Sequence, residues 1–184
     1  KKVHPGSNVF TGNCFTEHGN KYEDEARLLF GKLYKLDTWE VGLFRHMEYK
    51  WLGGSPDGIA SDGALLEIKC PMKRKITHEI PEYYYPQVQI CMEILKIEKC
   101  YFIQYLPASK YNDPLIDVVE IPRSKEWFSK HYESLNSFWN DVLYHRQHPE
   151  IEIIKKRKTI PKTKAVLKPM FCINFDDLSS DDEC

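Results

Sequence analysis

No stretch of the chain approaches the ~20 consecutive apolar residues that a bilayer-spanning helix needs, so the sequence offers no membrane segment. It also lacks net charge: 26 Lys and Arg against 27 Asp and Glu leave −1. A nucleic acid would therefore have to be held by a local patch or a metal ion, because no global field attracts it. The six cysteines, Cys14, Cys70, Cys91, Cys100, Cys172 and Cys184, form no C-x-x-C pair, and no histidines cluster at zinc spacing. Thiols scattered in this way read as reduced, in an intracellular protein. No apolar run follows Lys1-Lys2, as a secretory signal would require. A chain that opens on Lys rather than Met reads as processed, tagged or cut from something longer. The sequence does have 42% hydrophobic and 13% aromatic residues in 184 positions, enough for one domain with a substantial core.

Periodicity places the elements. Residues 1–16 are rich in Gly, Asn, Thr and Pro and read as loop. Tyr22, Ala26, Leu29, Phe30 and Leu33 recur at three- and four-residue spacing, which predicts an amphipathic helix over about 17–36. Strands are expected over 38–47, 48–52, 64–70, 99–106 and 115–121, with turns at Pro56-Asp57-Gly58 and Asp62-Gly63. A second helix is expected over about 84–95, tolerating Pro86 in its first turn. A third, capped by Ser124, is expected to bury Trp127, Phe128, His131, Tyr132, Leu135, Phe138, Trp139, Val142 and Leu143. Helices alternating with strands imply an α/β fold with a central mixed sheet flanked by helices. The domain is expected over 17–149. After Pro149 comes a basic stretch and then an acidic end, expected to be a flexible, solvated tail over 150–184.

The chemistry concentrates in Gly53 to Cys70, GGSPDGIASDGALLEIKC. Side chains alternate along a strand, so Glu67 and Lys69 share one side of Leu65–Cys70 while Leu66, Ile68 and Cys70 take the other. Charge on an otherwise apolar strand is costly unless it is paired or bound to metal. Asp57 lies ten residues before Glu67, across a reversal of a length that can return the chain alongside. Two converging carboxylates and the Ile68 carbonyl would make a hard oxygen set suited to Mg²⁺, with Mn²⁺ as a substitute. Lys69 would then stabilise charge on a phosphate. The same residues also fit an ordinary Lys-Glu pair on an edge strand after a turn. Glu23 either reaches inward at the edge of its helix or faces solvent among Glu23-Asp24-Glu25. Gln87 and Gln89, two residues apart at the start of the second helix, could hydrogen-bond a DNA backbone oxygen or be surface amides.

His18-Gly-Asn-Lys-Tyr-Glu23, Ser55-Pro-Asp57-Gly58, Leu66-Glu67-Ile68-Lys69-Cys70-Pro71 and Tyr84-x-x-Gln87-x-Gln89 stand in that order. Together they resemble the lambda-exonuclease-like, YqaJ-type viral recombinase branch of the PD-(D/E)xK nucleases, over about residues 17–122. The resemblance implies a restriction-endonuclease-like core and Mg²⁺-dependent cleavage of double-stranded DNA from its ends, 5′ to 3′, in recombination, repair or genome processing. It implies Asp57 and Glu67 as metal ligands and Lys69 as the catalytic lysine. Glu23 would act through a water or a second metal, and Gln87 would orient substrate or nucleophile. Gln89, Ser55, Lys73 and Arg74 are candidate substrate contacts. A single-strand annealing protein is the partner expected of such a family, and relatives act as trimers or monomers. For a viral protein the compartment would be the host nucleus or cytoplasm. The arginine and Thr-Ala-Ser-like run with which relatives capture a 5′-phosphate is not found before Glu17. Two other readings keep the same residues: an endonuclease or RNA-processing nuclease of this fold, and a catalytically idle DNA-binding module.

Overall fold

The structure, a computed structural model, describes residues 12–148. The chain divides into two compact units, Val9–Asn140 and a second formed by Lys1–Asn8 with Asp141–Cys184. The sheet and the candidate site belong to the first. The region after Pro149, with its basic and acidic runs, lies outside the described residues.

Helix α1 (Cys14–Tyr34) begins three residues earlier than its apolar repeat suggests. The side chain of Asn13 caps it, accepting from the Thr16 amide at 2.9 Å. Ala26 and Phe30 are its buried positions, whereas Leu33 is 56% exposed. Residues 38–52, expected to form two ordinary strands, instead give only two short pieces, β1 (Thr38–Trp39) and β2 (Phe44–Arg45), and β3 (Gly53–Gly54) follows just beyond. The segment 48–52, expected as strand, forms a turn. The reason is His46, fully buried, whose Nδ1 accepts from the amides of Glu48 and Tyr49 and folds the backbone over its ring.

Strands β4 (Gly58–Ala60), β5 (Leu65–Lys69), β6 (Lys99–Leu106) and β7 (Leu115–Pro122) join β1 in a five-stranded sheet of order β1-β4-β5-β6-β7. Only β5 and β6 run parallel. A parallel pair needs a crossover, and α2 (Tyr85–Leu95) lies between them in the chain. Strand alternation divides the core in two. Leu66, Ile68, Tyr101, Ile103 and Tyr105 pack with Ala26 and Phe30 of α1, while Leu65, Cys100 and Phe102 pack with Val88, Cys91 and Met92 of α2. The sheet is thus covered on both faces, as the α/β reading requires.

Helix α3 (Lys125–Gln147) starts where the sequence places it, with Ser124 Oγ accepting from the Trp127 amide at 3.0 Å. Its stripe is narrower than expected. Phe128 and Leu135 are buried, with Trp127 and Tyr132 packed beside them, but Phe138 is 59% exposed. The stripe packs on Ile90, Ile94 and Leu95 of α2, on Phe44 of β2 and on the turn residues Tyr49, Trp51 and Leu52.

Gly58 shows why a glycine follows Asp57. A Cβ there would meet the Trp39 carbonyl oxygen at 2.8 Å, because β1 passes directly alongside. Gly58→Ala is expected to cost about 1–3 kcal/mol in a urea titration, since the clash is with backbone that cannot rotate away. A loss below a few tenths would mean that the two strands separate freely.

Candidate active site

The β4–β5 hairpin builds the site. The Asp57 amide donates to the Leu66 carbonyl at 3.2 Å, and Gly58 pairs with Leu66, which sets Asp57 beside Glu67 and Ile68. Its side chain is fixed as well, Oδ2 accepting from the Ile68 amide at 2.6 Å. Glu67 projects to the α2 face and is 0% exposed. Its Oε1 accepts from Gln87 Nε2 at 2.6 Å and pairs with the Lys69 ammonium. Its Oε2 is buried and has no hydrogen-bond partner. Lys69 Nζ also donates to the Ile68 carbonyl at 3.1 Å and lies 3.7 Å from Asp57 Oδ2. Five of the residues singled out in the sequence, Asp57, Glu67, Ile68, Lys69 and Gln87, therefore meet within contact of one another.

The electrostatics follow from this crowding. Burial drives the Glu67 carboxyl up to about 7, and neighbouring Asp57 and Glu23 add to the rise against the pull of Lys69. Burial alone would lower the Lys69 ammonium, but Glu67 and Asp57 outweigh it and hold the group well above its ordinary value. Lys69 is thus a permanent cation, suited to stabilising charge and unsuited to taking a proton. Glu23 is raised too, first by burial and then by Asp57. It stands near enough to feel both Asp57 and Lys69, yet among the described residues no three His, Cys, Asp or Glu side chains close into one metal-binding group.

The remaining candidates fall elsewhere. Gln89 is 1% exposed, and its amide spans the β7–α3 junction, donating to the Pro122 carbonyl at 2.9 Å and accepting from the Ser124 amide at 2.7 Å. Residues two apart on a helix are turned about 200° from each other and point in nearly opposite directions, so only Gln87 reaches the site. The Gln89 amide is engaged in joining β7 to the start of α3. Ser55 is exposed at the hairpin's approach. Lys73 lies over the Phe15 ring at 5.4 Å. Arg74 donates from Nη1 to Gln104 Oε1 at 2.6 Å, and its Nη2 is buried without a hydrogen-bond partner. One neighbour was quoted in the sequence motif without a role. The Tyr84 ring lies 5.3 Å from Lys69 Nζ, a cation–π contact that backs the ammonium from the α2 side. Its signal was its place three residues before Gln87, just outside the helix.

Burial keeps the cysteines near the site in the thiol form. Burial pushes the Cys70 and Cys91 thiols up to about 12 and Cys100 well above its ordinary value. With Cys14, these are free thiols.

A mixed sheet carrying two carboxylates and a lysine on one hairpin defines a fold of the restriction-endonuclease-like class. The chain is similar to the crystal structure of an alkaline exonuclease from Laribacter hongkongensis in complex with dAMP, with TM-score 0.68, 23% identity, and 79% of this chain and 76% of that chain covered. Another crystal structure of that exonuclease matches with TM-score 0.65, 23% identity and the same coverage. A phage-related exonuclease from Haemophilus somnus 129PT matches with TM-score 0.60 and 22% identity, covering 79% of this chain and 77% of that one. At these identities the likeness is one of fold. Residues 2–97 match the YqaJ-like viral recombinase domain, and the chain belongs to that family. An uncharacterized protein of Acanthamoeba polyphaga mimivirus, R354, is 34% identical over 113 residues, which is 52% of this chain and 21% of that protein. The chain thus spans about a fifth of that relative's length. No described helix is long and apolar enough to cross a membrane.

Proposed function

We propose that this chain is a divalent-metal-dependent DNA exonuclease acting on double-stranded ends, 5′ to 3′, in recombination, repair or genome processing. One observation carries the reading. Glu67 is a fully buried carboxylate with an unpartnered oxygen, set beside Asp57 and a permanently charged lysine. A buried orphan acceptor of this kind calls for an explanation, and a hard cation is a chemically suited one. Asp57, Glu67 and the Ile68 carbonyl would hold Mg²⁺ or Mn²⁺, with Glu23 acting through a water or a second ion. The ion, when bound, would neutralise charge on the phosphate and acidify water.

The protein's own groups supply the rest. Lys69 offers its ammonium to the phosphate at the point where charge accumulates, with its side chain 20% exposed toward incoming substrate. Gln87 keeps one Glu67 oxygen occupied and so leaves Oε2 as the free one. Tyr84 holds the lysine from behind.

A substrate pair tests the assignment. Linear duplex DNA is expected to be degraded with Mg²⁺ or Mn²⁺ and spared in EDTA, while a closed circle survives. End-labelled duplexes, with and without a 5′-phosphate, report the direction. Equal loss of the circle would replace the exonuclease with an endonuclease. Binding without cleavage under every metal condition would leave a DNA-binding module.

A further inference from the structure

The β2–β3 hairpin and α3 enclose a groove of about 320 Å³, within the usual range of ligand clefts. Trp51 and Trp139 line it, their rings nearly parallel at 13° with centroids 6.3 Å apart. Arg45 and Lys50, both exposed, and Leu43, 79% exposed, complete the rim. No acidic residue lines the groove, and neither Arg45 nor Lys50 forms an ion pair with a described residue. In a chain whose net charge is −1, two unpaired cations flanking two indoles are a local departure from the average surface.

We propose that this groove binds single-stranded DNA, a base stacking on the indoles while Arg45 and Lys50 take the flanking phosphates. Aromatic faces bordered by cations are how proteins hold single strands without reading sequence, because every base has a π-face. Charge complementarity favours a polyanion over an apolar protein segment. Position adds a second reason. Gly53 borders the groove, and four residues of extended chain, at most about 14 Å, separate it from Asp57. The groove therefore lies within a few nucleotides of the hairpin that carries the acids. It is suited to the strand that an end-directed nuclease leaves unpaired. That role rests on the function proposed above, but the binding itself does not.

The experiment uses the full chain in EDTA with a fluorescein-labelled oligo-dT, read by anisotropy and by quenching of tryptophan emission. Arg45→Glu with Lys50→Glu, both at exposed positions, is expected to weaken binding at least tenfold. It should also reduce the slope of log affinity against log salt by about 1.4, two phosphates at roughly 0.7 each. Trp139→Ala is expected to lose roughly 5- to 150-fold, and Trp139→Phe to retain most of the affinity. Circular dichroism verifies that each variant is folded. Unchanged affinity and salt slope in the charge-reversed protein would overturn the proposal, as would binding that leaves tryptophan emission unaltered. So would a groove that proves to hold another protein while oligo-dT binds elsewhere. The two readings fail separately: a metal-dependent nuclease whose charge-reversed variant binds oligo-dT normally loses only the groove. A chain that cleaves nothing yet loses oligo-dT on charge reversal loses only the nuclease.

Discussion

Replacing Lys69 with alanine is expected to abolish measurable cleavage while DNA binding stays within about tenfold. The asymmetry follows from when the ammonium acts. In the bound duplex it is one partly exposed contact among many, with a net worth of about 0.5–1.5 kcal/mol, up to about tenfold in affinity. In the transition state it faces charge that has just developed, in a partly desolvated site, and removing one such preorganised donor costs about 10²–10³ in rate. Its charge is secured by Glu67 and Asp57, which keep the group protonated against the effect of burial. Loss of binding and cleavage in equal measure would make Lys69 a binding lysine only. The comparison needs binding isotherms and single-turnover rates on the same linear duplex.

Glu67→Gln is expected to act in two opposite senses. It should weaken Mn²⁺ binding in calorimetric titration and remove cleavage, because the orphan Oε2 would no longer belong to an anion. Asp57→Asn should weaken Mn²⁺ similarly, and unchanged titrations for both would refute the ligand assignment. Without metal, however, Glu67→Gln should gain stability relative to the wild type as pH rises. Burial holds the folded-state carboxyl at about 7, above its ordinary value of 4.5. Between those values the folded protein keeps a proton that the unfolded chain has released, so wild-type stability falls with rising pH across that window. Each unit of difference corresponds to about 1.4 kcal/mol. Glutamine has no such proton to lose. Urea titrations in EDTA at pH 5 and pH 8 should show the variant's relative stability rising between them. A constant difference would mean that Glu67 ionises as an ordinary carboxyl.

The reading of Gln87 and Gln89 shows where sequence evidence stops. Both amides sit in one motif, and composition treats them alike. Helical geometry turns one toward Glu67 and the other toward the β7–α3 junction, where Pro122 and Ser124 engage it. The region 38–52 shows the same limit. Its residues favour strands, but a buried His46 accepting two backbone amides converts the second half into a turn. Periodicity could not find Trp51 and Trp139 as neighbours either. They lie 88 positions apart and meet only because α3 crosses the small β2–β3 sheet.

From the sequence alone came the three helices, the strands β5, β6 and β7, the alternation that puts Glu67 and Lys69 on one side of β5, and the short reversal that returns Asp57 to them. These depend on spacing within about a dozen residues, which local geometry controls. Only the tertiary structure decided that Glu67 would lose all contact with water and keep an oxygen without a donor. It also decided that Lys69 would be locked as a cation and that two distant indoles would share a groove. Burial, and the electric field it creates, depends on which helices cover the sheet, and that is a property of the whole packed chain.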